Sequence, residues 1–89
     1  MKIKTSAFAG TLESSDVYVK IEPSEKGIVI ELESVVYNQF SNEIKASVME
    51  VLKENEVESC LIQINDRGAI DCTIRARVET AVKRAQGGI

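Results

Sequence analysis

The chain has 89 residues, 44% of them hydrophobic and 28% charged, with a formal net charge of −3 and no histidine. That length fits one domain, 1–89, against the usual ~100–200 residues per domain, and leaves little room for a deep active-site cavity. No segment approaches the ~20 consecutive apolar residues of a membrane span, so no membrane partner is expected. The N-terminal MKIKTSAFAG lacks the apolar core of a signal peptide, which makes the cytoplasm the expected address. Residues 1–65 carry 6 Lys and Arg against 11 Asp and Glu, whereas residues 66–89 carry 5 against 3. An acidic body argues against nucleic acid, whose phosphates are bound by Lys and Arg. Cys60 and Cys72 suit a reducing compartment, each as a buried small hydrophobe. Two cysteines without histidine fall short of the four ligands of a structural zinc site, so no metal is expected.

In chain order, Ala7 to Leu12 predicts a strand of small and β-compatible residues. Val17 to Ile21 predicts a second, with Val17, Val19 and Ile21 on one face and Tyr18 and Lys20 on the other. Pro23 ends it, and Ser24 to Gly27 forms a turn. Ile28 to Leu32 predicts a third strand with Ile28, Ile30 and Leu32 facing the core. The short connections suggest that the three form an antiparallel meander. The period then changes: from about Val36 to Asn55, Phe40, Ile44, Val48, Val51 and Leu52 make one helical stripe. Ser59 to Asp66 predicts a fourth strand with Ile62 and Ile64 inward, and Asp66-Arg67-Gly68 a turn. Asp71 reads as the N-cap of a second helix with Ile74, Val78, Ala81, Val82 and Ala85 as its stripe, stopped by Gly87-Gly88. The order β-β-β-α-β-α implies an α+β fold, a mostly antiparallel four-stranded sheet with two helices packed on one face. The fourth strand, arriving through a helix, is a candidate to pair parallel with one of the others.

The missing histidine excludes Ser-His-Asp and Cys-His chemistry, and the five scattered glycines form no phosphate loop. The acid pair Glu31/Glu33 reads as solvated surface. Arg75 and Arg77, two apart on a helix, diverge by about 200° and cannot form one clamp. No residue is assigned a catalytic role, so the chain is not expected to be an enzyme. There remains Glu13-Ser14-Ser15-Asp16, the loop of the first hairpin, with two serine hydroxyls at its tip. The pattern alone leaves two readings: turn chemistry, in which Ser and Asp bond their own backbone, or an acceptor for a group that another enzyme attaches.

Two segments bear on that choice. Ala9 to Val17 reads AGTLESSDV, preceded by MKI at the N-terminus, and Ile64 to Ala85 reads INDRGAIDCTIRARVETAVKRA. Both, in this order, resemble the acyl carrier (gamma) subunit of citrate lyase, and the resemblance runs nearly end to end. In that family the serine of G-T-L-E-S carries phosphoribosyl-dephospho-CoA through a phosphodiester. The resemblance places that attachment on Ser14, with Ser15 beside it. It implies a non-catalytic carrier in citrate fermentation whose arm holds acetyl and citryl thioesters. Its partners would be the lyase's alpha (transferase) and beta (lyase) subunits and a prosthetic-group transferase. Glu13 and Asp16 belong to the same motif, as recognition contacts for those partners or as loop-solubilising charge. Arg67, Arg75 and Arg77 are candidates for docking the larger subunits, or for pairing with Glu79 or Asp71 inside the domain. The competing readings are a carrier for a related lyase or for malonate decarboxylase, and an α+β interaction module without a prosthetic group.

Overall fold

In the computed structural model the described residues are 3–35 and 37–87, with 37–39 described by backbone alone. Met1 and Lys2 of the N-terminal segment, the predicted helix start at Val36 and the stop residue Gly88 lie outside them. The elements are β1 (Ala7–Gly10), β2 (Val17–Glu22), β3 (Ile28–Ser34), α1 (Tyr37–Glu54), β4 (Cys60–Asp66) and α2 (Asp71–Ala85). The predicted order and α+β class hold. The first strand stops at Gly10 instead of Leu12, because Gly10 takes φ +91° and turns the chain out of the ladder.

The sheet order is β1-β2-β4-β3, with β1/β2 and β2/β4 antiparallel and β3/β4 parallel. The expected meander is thereby corrected: β4 sits between β2 and β3. The connection 23–27 need only step across one intervening strand, a displacement of about 10 Å that five residues span easily. Shortness of connection therefore does not require the two strands to pair. Burial shows why β4 takes the middle. The inward residues of β2 (Val17, Val19, Ile21) and β4 (Cys60, Ile62, Ile64) are buried, whereas Ile28, Ile30 and Leu32 of β3 are half-buried, as suits an edge strand. The fourth strand does pair parallel, with β3, through α1 as the crossover.

Both helices cover the inward face. Helix α2 lies on β1 and β2, α1 lies on β3, and the two pack together. The α2 stripe Ile74, Val78, Ala81, Val82 and Ala85 is buried as expected; of the α1 stripe, Ile44, Val48, Val51 and Leu52 are buried and Phe40 is exposed. Gly87 at φ +89° ends α2, its N–H reaching Arg84 O at 3.2 Å. The N-cap is Ile70, not Asp71, which is the first helical residue. The Asp71 carboxylate instead accepts from Ser47 Oγ of α1 and from Arg75 Nε, 2.7 Å away, so it fastens helix to helix. Those contacts, the Ser47 hydroxyl first, hold its carboxyl below the usual range.

The cysteines divide. Cys60 is buried, and burial pushes its thiol up to about 11; Cys72, expected to be buried, is exposed on the outer side of α2 because it stands off the Ile74/Val78 stripe. A thiol reagent is expected to label Cys72 in the native protein and Cys60 only in denaturant, as read by mass after digestion. Comparable native labelling of both would contradict this packing.

Candidate functional site

The loop between β1 and β2 is a tight turn: Asp16 N donates to Glu13 O at 3.1 Å, with Ser14 and Ser15 exposed at the two central positions. Ser15 has φ 67°, the left-handed conformation that the third residue of such a turn requires and that L-residues adopt at a cost of ~1 kcal/mol. The turn is not left to its own bonds. Ser15 N donates to Arg67 O at 2.8 Å, and Arg67 N donates to Asp16 O at 2.9 Å. The two sequence segments, about fifty residues apart, therefore form one structural unit.

Beneath the tip lies a cluster organised on Asp16. Its Oδ1 accepts from Val17 N at 2.7 Å and Arg77 Nε at 3.1 Å; its Oδ2 accepts from Thr11 Oγ1 at 2.6 Å and Arg77 Nη2 at 3.0 Å. Arg77 thus grips the carboxylate with both arms of its fork, the geometry that makes arginine–carboxylate pairs strong. Thr11 Oγ1 also accepts from Glu13 N at 3.2 Å, which closes the loop on itself. The Thr11 hydroxyl, then Arg77 and the Val17 amide, draw the Asp16 carboxyl down from 3.8 to about 2.

Two further residues frame the loop. A Cβ placed on Gly10 would fall 1.8 Å from Val17 O, so glycine is required where the chain leaves β1. Asp66 is buried at the inner end of β4; it accepts from Ser34 Oγ at 2.8 Å, and from the amides of Gly68 at 3.2 Å and Ala69 at 2.9 Å. That brace shapes the turn that presents Arg67 to the serine loop.

The six residues singled out from sequence separate into two groups. Ser14, Glu13, Asp16, Arg67 and Arg77 come together at one end of the molecule. Asp16 and Arg77 are engaged with each other, while the Glu13 and Arg67 side chains have no hydrogen-bond or ion-pair partner among the described residues. Arg75 points away, bonded to Asp71 and Glu50, so the predicted divergence of the two arginines holds. Its pairing with Asp71 is the intradomain alternative read from the sequence, whereas Glu79 lies against Lys83 at 3.9 Å. Sequence reasoning missed Gly10, Thr11 and Asp66. A lone glycine closing a strand was a usable signal for Gly10, and the Asp66-Arg67-Gly68 turn pattern for Asp66; nothing local marks Thr11 as a partner of Asp16. Among the described residues no group of acids and cysteines could hold a metal ion.

Two outcomes follow from this geometry. The folded Asp16 value lies below the unfolded one, so its contribution to stability is complete above pH 3.8 and is lost as the pH falls through about 2. Thermal unfolding followed across that range should show the loss, and Asp16→Asn should flatten it. Gly10→Ala is expected to cost ~2–4 kcal/mol, read as a Tm lower by about 10 °C or more. An unchanged Tm would mean that the β1 exit can take another path.

Comparisons with known proteins agree with one another. The family model described as ACP, malonate decarboxylase delta subunit, matches residues 4–85. A citrate lyase acyl carrier protein of Treponema denticola is 53% identical over 85 residues, covering 96% of this chain and 97% of that relative. One of Vibrio cholerae serotype O1 is 51% identical, covering 96% and 88%. One of Halothermothrix orenii is 44% identical, covering 99% and 94%. Among solved structures, a chain of a Pseudomonas malonate decarboxylase hetero-tetramer, crystallised with malonate, superposes with a TM-score of 0.80 at 25% identity, covering 96% of this chain and 88% of that one. With the paired segments meeting at one loop and relatives half identical over nearly the whole length, the chain belongs to the citrate lyase acyl carrier protein family.

Proposed function

We propose that the chain is the acyl carrier subunit of a citrate lyase and that Ser14 is its attachment point. The observation that carries this reading is the tip itself: an exposed serine hydroxyl on a loop held from below by Arg77 and from the side by Arg67. A serine so placed suits modification by an external enzyme, which supplies the base that this histidine-free chain lacks. Ser14 is favoured over Ser15 because Ser15 is fixed in the left-handed conformation with its amide committed to Arg67. Relatives near 50% identity carry the citrate lyase name, while the malonate decarboxylase structure is 25% identical, which favours the citrate over the malonate carrier.

The site fits phosphoribosyl-dephospho-CoA joined through a phosphodiester. Negative charge added at Ser14 would meet Glu13, but the Asp16 carboxylate is already neutralised by Arg77, and the unpaired Arg67 guanidinium stands on the same loop pair. When bound, that group supplies a thiol that carries an acyl group as a thioester. The chain's own part is to hold the anchor still, exposed and clear of bulk, so that a transferase and the alpha and beta subunits can reach it. A tether of this kind presents its cargo at an effective concentration on the order of millimolar. Among the described residues no helix is long and apolar enough to cross a membrane.

Co-expression with the prosthetic-group transferase, followed by intact mass and peptide mapping, is expected to show the increment on Ser14. Ser14→Ala should abolish it with stability changed by no more than ~0.5 kcal/mol, as for exposed substitutions, and Ser15→Gly should retain it. An increment that survives Ser14→Ala would move the site; one that never forms would sink the carrier reading.

A further inference from the structure

The two edges of the sheet are built differently. β1 is four residues long, ends where Gly10 turns away at φ +91°, and its Phe8 carbonyl accepts from Arg84 Nη1 at 2.9 Å. β3 is seven residues long, with no proline and no inward-pointing charge to blunt it. Its parallel ladder with β4 fixes which of its amides are engaged. Cys60 N donates to Gly27 O at 3.1 Å at one end, and Val35 N donates to Asp66 O at 3.2 Å at the other. Successive residues of a strand point their amides to alternate sides, so those of Val29, Glu31 and Glu33 face β4. The N–H and C=O groups of Ile28, Ile30 and Leu32 face outward, and no partner meets them among the described residues.

The rows of side chains that cross the sheet define what a further strand would have to carry. On the helix side, Val19, Ile64 and Leu32 form one row and Ile21, Ile62 and Ile30 another. Their members on β2 and β4 are buried, while Ile30 and Leu32 are half-buried because the rows stop there. The next position in each calls for an apolar side chain. On the open side the rows are Lys20, Gln63, Glu31 and Tyr18, Asn65, Glu33. Both glutamates are exposed and accept from Gln63 and Asn65, at 3.0 and 3.5 Å. Neither is paired with a cation among the described residues. The next position there calls for Lys or Arg, since opposite charges across a strand pair attract. A second copy of this chain does not meet that need. An antiparallel pair of β3 edges centred on Ile30, Glu31 or Leu32 sets glutamates of the two copies opposite or diagonal to each other, which is unfavourable.

We infer that the outer edge of β3 takes a fifth strand from a partner subunit of the lyase, an extended segment with Lys or Arg opposite Glu31 and Glu33 and apolar side chains at the alternate positions. This rests on the carrier reading, which supplies the partner. Strand addition of this kind gains affinity from main-chain bonds and specificity from alternate side chains. The placement suits a carrier. Val17, Asp66 and Ser34 share one row, so β3 ends level with the serine loop. It lies two strands from β2, a distance of about 10 Å. A segment seated on that edge holds the domain while leaving Ser14 uncovered.

The test follows the chain modified on Ser14, alone and assembled with purified alpha and beta subunits. Amide hydrogen exchange is read residue by residue after quenching and fragmentation. Assembly is expected to slow the Ile28, Ile30 and Leu32 amides by roughly tenfold or more, while those of Val29, Glu31 and Glu33, already bonded to β4, are slow in both states. Reversing both exposed charges, Glu31→Lys with Glu33→Lys, should weaken the association by about tenfold or more at low salt. The effect should shrink as salt rises. Assembly that leaves the three outward amides as fast as in the free chain, or an affinity indifferent to charge reversal, overturns the edge and leaves the carrier role standing on the Ser14 increment. Slowing already present in the chain alone, with the mass of a dimer, overturns it in favour of a second copy. Failure to assemble, in a chain that never takes the increment, overturns both.

Discussion

The fork between Arg77 and Asp16 organises this end of the molecule. One carboxylate collects a loop hydroxyl, its neighbour's amide and both arms of a guanidinium carried by the last helix. A hairpin loop alone would sample many conformations, because each free residue holds ~1–2 kcal/mol of backbone entropy at room temperature. Here the loop is bonded to α2 through Arg77 and to the β4–α2 turn through Arg67, so its geometry is that of the core behind it. The same pair also removes one negative charge from beneath Ser14. Because Asp16 is only partly buried and Arg77 is more exposed still, its value lies in position and charge more than in raw stability.

A carrier domain must be rigid under the anchor and permissive around it. The rigidity comes from an inward sheet face of β-branched residues, Val17, Val19, Ile21, Ile62 and Ile64, closed by two helices. The permissiveness comes from leaving Glu13, Ser14, Ser15 and Arg67 in water.

Most of the framework was legible in the sequence because its signals are local. The alternation of Val17-Tyr18-Val19-Lys20-Ile21 and the stripe Ile74/Val78/Ala81/Val82/Ala85 each name their own buried face. What failed was non-local. The place of β4 between β2 and β3 depends on which strands bury most, and a five-residue link is equally compatible with adjacency and with a one-strand gap. Asp71 has the chemistry of a cap, yet its carboxylate found a stronger partner in Ser47, a residue twenty-four positions earlier. At the site, the motif residues were visible as a group, but their division of labour was not. That Asp16 faces inward to Arg77 while Glu13 faces water is decided by a residue sixty-one positions further along the chain.

The insertion of β4 into the middle of the sheet also sets the order in which this protein can become itself. The hairpin of β1 and β2 leaves the ribosome first, yet the contacts that tie its tip to the rest of the fold are encoded later: Asp66, Arg67 and, last, Arg77. β2 has no inner neighbour until residues 60–66 arrive, and such long-range pairing is the slow part of folding. Until the chain has grown past Arg77, the serine exists as a chemical group but not as a placed one. A modifying enzyme that reads the loop together with the turn beside it would therefore be reading a finished fold, and a truncated or unfolded chain would not be offered the arm.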